Sequence, residues 1–155
     1  IEAIYHLGKA GGIDFALYGE YAIGLHGPDA LEAKLLMQHR TGPWDLRFNL
    51  IAEKSLQTGE KVELEYAASA DVAVSSRMRL GAEAFGDLGT FSHFAPASKH
   101  FFGPYAKFRL IQIADSDGDG DDHGGLTLKA GYLFALGKTR EDTNGQLKVK
   151  LEYEF

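Results

Sequence analysis

An all-β fold, antiparallel and rolled into a barrel, is predicted by three observations on this chain. Nine stretches alternate apolar and polar residues with period two, the spacing that sends successive strand side chains to opposite faces. The connections between them alternate between tight and long. The final stretch, Leu147 to Phe155, has apolar groups at every odd position, charge at nearly every even one, and an aromatic at its end. A sheet with one greasy and one ionic face must meet something apolar on one side and water or a polar interior on the other. A barrel crossing a bacterial outer membrane meets both demands, with lipid outside and a polar lumen within.

The strands are predicted at 1–7, 13–24, 31–40, 44–54, 62–73, 76–86, 102–113, 126–136 and 147–155. The second sets Ile13, Phe15, Leu17, Tyr21 and Ile23 against Asp14, Tyr18 and Glu20. The third opposes Leu31, Ala33, Leu35 and Met37 to Glu32, Lys34, Gln38 and Arg40. Trp44, Leu46, Phe48 and Leu50 face away from Asp45, Arg47, Asn49 and Glu53 in the fourth. In the fifth, Val62, Leu64, Tyr66 and Val72 oppose Glu63, Glu65, Ser69 and Asp71; in the sixth, Met78 and Leu80 oppose Arg77, Arg79 and Glu83. Every stretch but the first is long enough for a tilted strand to cross a bilayer, which takes about 9–11 residues. Helical periodicity is absent.

Thr41-Gly42-Pro43 and Val74-Ser75 form tight connections, whereas 24–30, 55–61, 87–101 and 137–146 are longer and more polar. Outer-membrane barrels have short periplasmic turns and longer extracellular loops. With Phe155 on the periplasmic side, counting back puts both tight turns in the periplasm and all four longer loops outside. The long connection at 114–125 breaks the pattern. Nine strands also conflicts with the even counts of single-chain bacterial barrels. Either 87–101 hides a strand, the first stretch lies outside the wall, or earlier strands are missing. The chain is thus read as one domain, residues 1–155, with about 8–10 strands, either a small barrel or part of one of about twelve.

Composition agrees. Hydrophobic residues make up 45% and charged residues 25% of the 155, with no run of about 18 apolar residues that would make a membrane helix. The absence of cysteine fits an exported protein, and a net charge of −6 argues against nucleic acid as a partner. The chain opens at Ile1 with no signal peptide and reads as the later part of a longer protein.

Leu31-Glu32-Ala33-Lys34-Leu35, Gly42-Pro43-Trp44, Gly103-Pro104-Tyr105 and Leu151-Glu152-Tyr153-Glu154-Phe155 resemble segments of a proteobacterial outer-membrane β-barrel family of uncharacterised, porin-like type. The resemblance covers most of the chain. It implies an outer-membrane location, a barrel fold, and strands preceding the point where this chain begins.

Three groups of residues are candidates for function. Asp115, Asp117, Asp119, Gly120 and Asp121 have the carboxylate spacing and glycine bend of a calcium loop, although Leu126 stands where the bidentate glutamate belongs. The alternative is a solvated acidic turn; calcium is the one cofactor the sequence raises. The second group is the ionic lumen: Glu32, Lys34, Arg47, Glu63, Glu65, Asp71, Arg77, Arg79, Lys107 and Arg109. It is either a charged eyelet that selects solutes or a self-paired filling. Asp71 and Arg77 would cross-link neighbouring strands if they met across their turn. The third is Ser92 with His93, a hydroxyl and a base in one loop, which adjacent strand positions would point apart. Trp44, Tyr21, Tyr66, Tyr132, Tyr153 and Phe155 are expected as the aromatic girdle at the lipid boundary.

The expected function is a porin-like passive channel or a structural membrane protein, not an enzyme, with outer-membrane lipid as its surroundings. The sequence specifies neither a solute nor a protein partner. Two other classes stand beside it. A soluble lipocalin-like barrel would put the apolar face inside for a ligand, and an outer-leaflet lipid-modifying enzyme would use Ser92.

Overall fold

The computed structural model of the chain describes residues 1–25, 27–96, 99–112 and 125–154. They form ten strands: β1 (Glu2–Ala10), β2 (Ile13–Ala22), β3 (Ala30–Thr41), β4 (Trp44–Ser55), β5 (Glu63–Ala73), β6 (Met78–Thr90), β7 (His93–Phe94), β8 (His100–Gln112), β9 (Gly125–Leu136) and β10 (Gly145–Glu154). All belong to one antiparallel sheet in the order β1-β2-β3-β4-β5-β6-β8-β9-β10, with β7 paired to β6 off this path. Consecutive strands therefore neighbour one another throughout, as hairpins dictate. Among the described residues the only helical turn is a 3-10 segment, Gly137–Glu141, between β9 and β10. Among the described residues no helix is long and apolar enough to cross a membrane.

The sheet is open: β1 and β10 are its edges, and no pairing joins them among the described residues. It is also curled. Side chains of strands with two others between them meet on one face, as Lys148 of β10 meets Glu83 of β6 at 3.4 Å, and a single cavity draws residues from β3, β4, β5, β6, β8, β9 and β10.

The turns explain why the short connections sit at one end. Gly11 and Gly12, at φ 58° and 82°, close β1 onto β2, and two successive positive φ values define the type I′ turn whose twist suits a hairpin. Gly42 at φ 55° precedes Pro43, whose ring holds φ near −65°; these signs match type II′. The 74–77 turn lies at the same end. The loops 23–29, 56–62, 91–99 and 137–144 lie at the other.

Two expectations about the strands change. The loop 87–101 does hold a strand, but β7 extends only the β6 hairpin and adds nothing to the wall. The first stretch is part of the wall and runs on to Ala10, through a register shift between His6 and Gly8.

The interior is small. Among the described residues Leu64, Tyr105, Leu133 and Ala135 are the buried apolar ones, and only Leu133 is a large side chain sealed completely. Leu133 and Ala135 lie beneath the 3-10 turn, where the backbone N–H of His100 donates to Thr139 Oγ1 at 3.0 Å and Arg140 Nε donates to the Ala135 carbonyl at 3.0 Å. On the convex face Leu17, Leu31, Trp44, Leu46, Phe48, Leu50, Leu80, Phe102, Phe108 and Tyr132 are all exposed. An apolar surface continuous over most of a sheet far exceeds what a water-facing monomer carries.

Candidate functional site: the charged concave face

Cross-strand register places the charges. Glu32 stands opposite Glu20 and Glu53, and Lys34 opposite Tyr18. Glu63 faces Glu53, and Glu65 faces Asp87. Arg79 faces Lys107, which faces Lys129, which faces Lys150. Nine of the ten predicted lumen residues therefore share the concave face, and the tenth, Arg77, lies on the β5–β6 turn beside the same cavity. Their signs sort mainly by height: Glu20, Glu32, Glu53, Glu63, Glu65 and Asp87 lie toward the long-loop end of β2 to β6 and most of the basic residues toward the short-turn end, with Lys34 and Asp71 the exceptions among the predicted ten. The fifth strand looks acidic because it starts at the first end, and the sixth looks basic because it starts at the second.

At the long-loop end, Tyr18 OH lies 2.7 Å from a carboxylate oxygen of Glu2 and of Glu20, its one proton shared between them. Lys34 pairs with Glu32 at 2.7 Å and lies 4.4 Å above the Tyr18 ring. Lys99 reaches Asp87 at 3.2 Å, and hydrogen bonding to that carboxylate raises the lysine pKa. Asp29, in the β2–β3 loop, accepts from Tyr21 OH and from Gly24 N–H at 3.0 Å; these bonds, the tyrosine's first, lower its pKa.

At the short-turn end the concave face encloses a cavity of about 1200 Å³, whose lining carries nine basic residues and three acidic ones. The bases include Arg47, Arg77, Arg79, Lys107 and Arg109 of the predicted set; Arg40, Lys129, Lys148 and Lys150 complete it. Three nearly buried carboxylates, Asp45, Asp71 and Glu83, hold this array in shape. Asp45 takes Arg47 at 2.9 Å, Arg40 at 3.6 Å and Gln38 at 2.9 Å. Asp71 takes Arg79 and, at 2.5 Å, the hydroxyl of Tyr105. Glu83 binds Lys129 and lies 3.4 Å from Lys148. Buried carboxylates with several charge-assisted partners fix those partners' positions.

The expected Asp71–Arg77 cross-link is corrected: the partner is Arg79. The connection spans Val74 to Arg77, so Ala73 registers with Arg79 and leaves Arg77 on the turn. Arg79 also donates to the Pro43 carbonyl at 3.0 Å, tying two short turns together.

Tyr105 and Asp45 matter more here than their sequence context suggests. Tyr105 sits between Gly81 and Gly131 in register. A Cβ on Gly131 would come within 2.7 Å of the Pro104 carbonyl and 2.8 Å of Tyr105 Cβ. The two glycines leave room for the ring to lie flat under Lys129, whose Nζ is 3.8 Å from its centroid, a cation–π distance. The paired small residues flanking an inward tyrosine were the available signal.

The girdle residues divide by height. Trp44 and Tyr153 lie at the short-turn end, Tyr21 at the long-loop end, and Tyr66 and Tyr132 nearer the latter. Trp44, Tyr132 and Tyr153 are exposed, while Tyr21 and Tyr66 are half-buried. Phe155 lies outside the described residues, as do the calcium candidates Asp115, Asp117, Asp119 and Asp121. Among the described residues no cluster of three or more acidic, histidine or cysteine side chains is arranged to hold a metal. Ser92 Oγ accepts from Lys61 Nζ at 2.9 Å and lies 3.1 Å from Thr90 Oγ1. No protein-family model, no curated protein and no solved structure matches this chain.

Proposed function

We propose that this chain is the wall of a bacterial outer-membrane β-barrel and acts as a porin-like passive channel. The observation carrying this reading is the division of the curled sheet into a convex face of exposed apolar side chains and a concave face of charges around a cavity of about 1200 Å³. Lipid satisfies the first face and aqueous solute the second. A lipocalin-type barrel needs the reverse, with apolar side chains turned in. Three short turns at one end and the longer loops at the other further support a periplasmic and an extracellular end, the long β8–β9 connection being the exception.

The test is planar-bilayer recording on the detergent-purified full chain, with its intact mass measured on the same sample. Discrete, reproducible conductance steps are expected. A protein that remains monodisperse without detergent and adds no conductance would overturn the reading.

A further inference from the structure

Arg79, Lys107, Lys129 and Lys150 stand directly opposite one another on four successive strands, β6, β8, β9 and β10. Directly opposed side chains have Cβ atoms about 4.5–5.5 Å apart, and like charges so placed destabilise a sheet. A row of four cations therefore needs counter-charge. Arg79 has Asp71, Lys129 has Glu83, and Lys150 has Glu152, two residues along its own strand, at 2.6 Å. Lys107, in the middle, forms no ion pair with any described residue. Its strand neighbours on both sides are cationic; Glu152, which Lys150 binds, attracts it without forming an ion pair with it, and its side chain lines the basic cavity.

We infer that this row is a seat for a small polyvalent oxyanion, of the phosphate class, bound over Lys107 between Arg79 and Lys129. The inference rests on the channel reading for access and deepens it, by naming the solute class that the short-turn end accepts. An oxyanion supplies the missing counter-charge and accepts hydrogen bonds from both amine and guanidinium donors, which are stronger when charged. The flanking cations are already held by Asp71, Glu83 and the Tyr105 ring, so binding immobilises little else. Such preorganisation lowers the cost of association. The convex apolar face and the sheet itself separate it from lipid headgroups, which makes a dissolved anion the occupant.

Removal of Lys107 distinguishes this seat from a structural ion network. The full chain is unfolded by urea in a maltoside detergent, which carries no phosphate, with inorganic phosphate or chloride at matched ionic strength. Phosphate should raise the unfolding midpoint of the unaltered protein in a saturable way. Lys107→Gln should unfold later than the unaltered protein in chloride, because like-charge repulsion is gone, and should lose phosphate affinity on the order of tenfold or more. Glu65→Gln, at the far end, should keep the phosphate response. An equal phosphate response in Lys107→Gln, or none in the unaltered chain, would sink the inference. Bilayer recording separates the two readings: phosphate stabilisation without conductance removes the channel and leaves the seat, whereas conductance without any phosphate response removes the seat and leaves the channel.

Discussion

Tyr105 and Asp71 meet at 2.5 Å across the width of an intervening strand, the tyrosine hydroxyl donating to the carboxylate Oδ2. Both residues are nearly buried, so this bond pins β8 to β5 on the concave side and holds the curl of the sheet. Tyr105→Phe deletes one donor to a charged acceptor and leaves Arg79 in place. It should cost about 1.5–3 kcal/mol, read from urea unfolding in detergent. Asp71→Asn, which also frees Arg79, should cost more.

The glycines beside Tyr105 give a paired test of packing. Gly131→Ala brings a methyl within 2.7 Å of the Pro104 carbonyl and should cost about 1–3 kcal/mol as strands β8 and β9 separate. Gly19→Ala meets nothing within 4 Å and should stay within about 0.5 kcal/mol. Equal effects at the two sites would show that the close approach at Gly131 is not what excludes a side chain.

A bilayer reads depth, and water does not. Phe48 lies midway along β4, and Leu31 lies near the long-loop end of β3; both are exposed on the convex face. In lipid vesicles Phe48→Arg should lose about 2–4 kcal/mol and Leu31→Arg about 0–1 kcal/mol. The comparison is made by folding into vesicles from denaturant. No dependence on depth would remove lipid from the convex face.

The β2–β3 loop carries a pH-dependent clamp. Asp29 has its pKa lowered by the Tyr21 hydroxyl and then the Gly24 amide. A depressed carboxylate stabilises above its unfolded pKa, near 3.9, and loses that contribution as pH falls through the folded value. The Gly24 amide proton shift should therefore titrate with a midpoint below that of a free aspartate. Asp29→Asn should abolish the titration. A midpoint at or above 3.9 would mean the clamp does not form.

Strands and faces were legible because alternation is local. The reading failed where backbone irregularity interrupts it. The register shift at His6/Gly8 cut β1 short at residue 7, and a second, between Leu64 and Glu65, adds an unmatched residue to β6 and carries that strand to Thr90. The cation row was out of reach for another reason. Arg79, Lys107, Lys129 and Lys150 share no spacing in the chain; only pairing register aligns them, and register depends on every turn between. The Asp71–Arg79 pair was nearly found, and the miss by two residues followed from treating Val74-Ser75 as the whole turn.

Direction along the sheet has a consequence for its edges. Every neighbouring pair is antiparallel and nine strands lie on the path, so β1 and β10 point the same way. If these two edges joined each other, the seam would be parallel, with slanted and slightly weaker hydrogen bonds. An antiparallel seam would instead require an odd number of additional strands between them. The parity of the wall thus ties the width of the cavity to the hydrogen-bond pattern at one seam. Isotope-edited infrared spectra of the β1 and β10 carbonyls would tell the two closures apart.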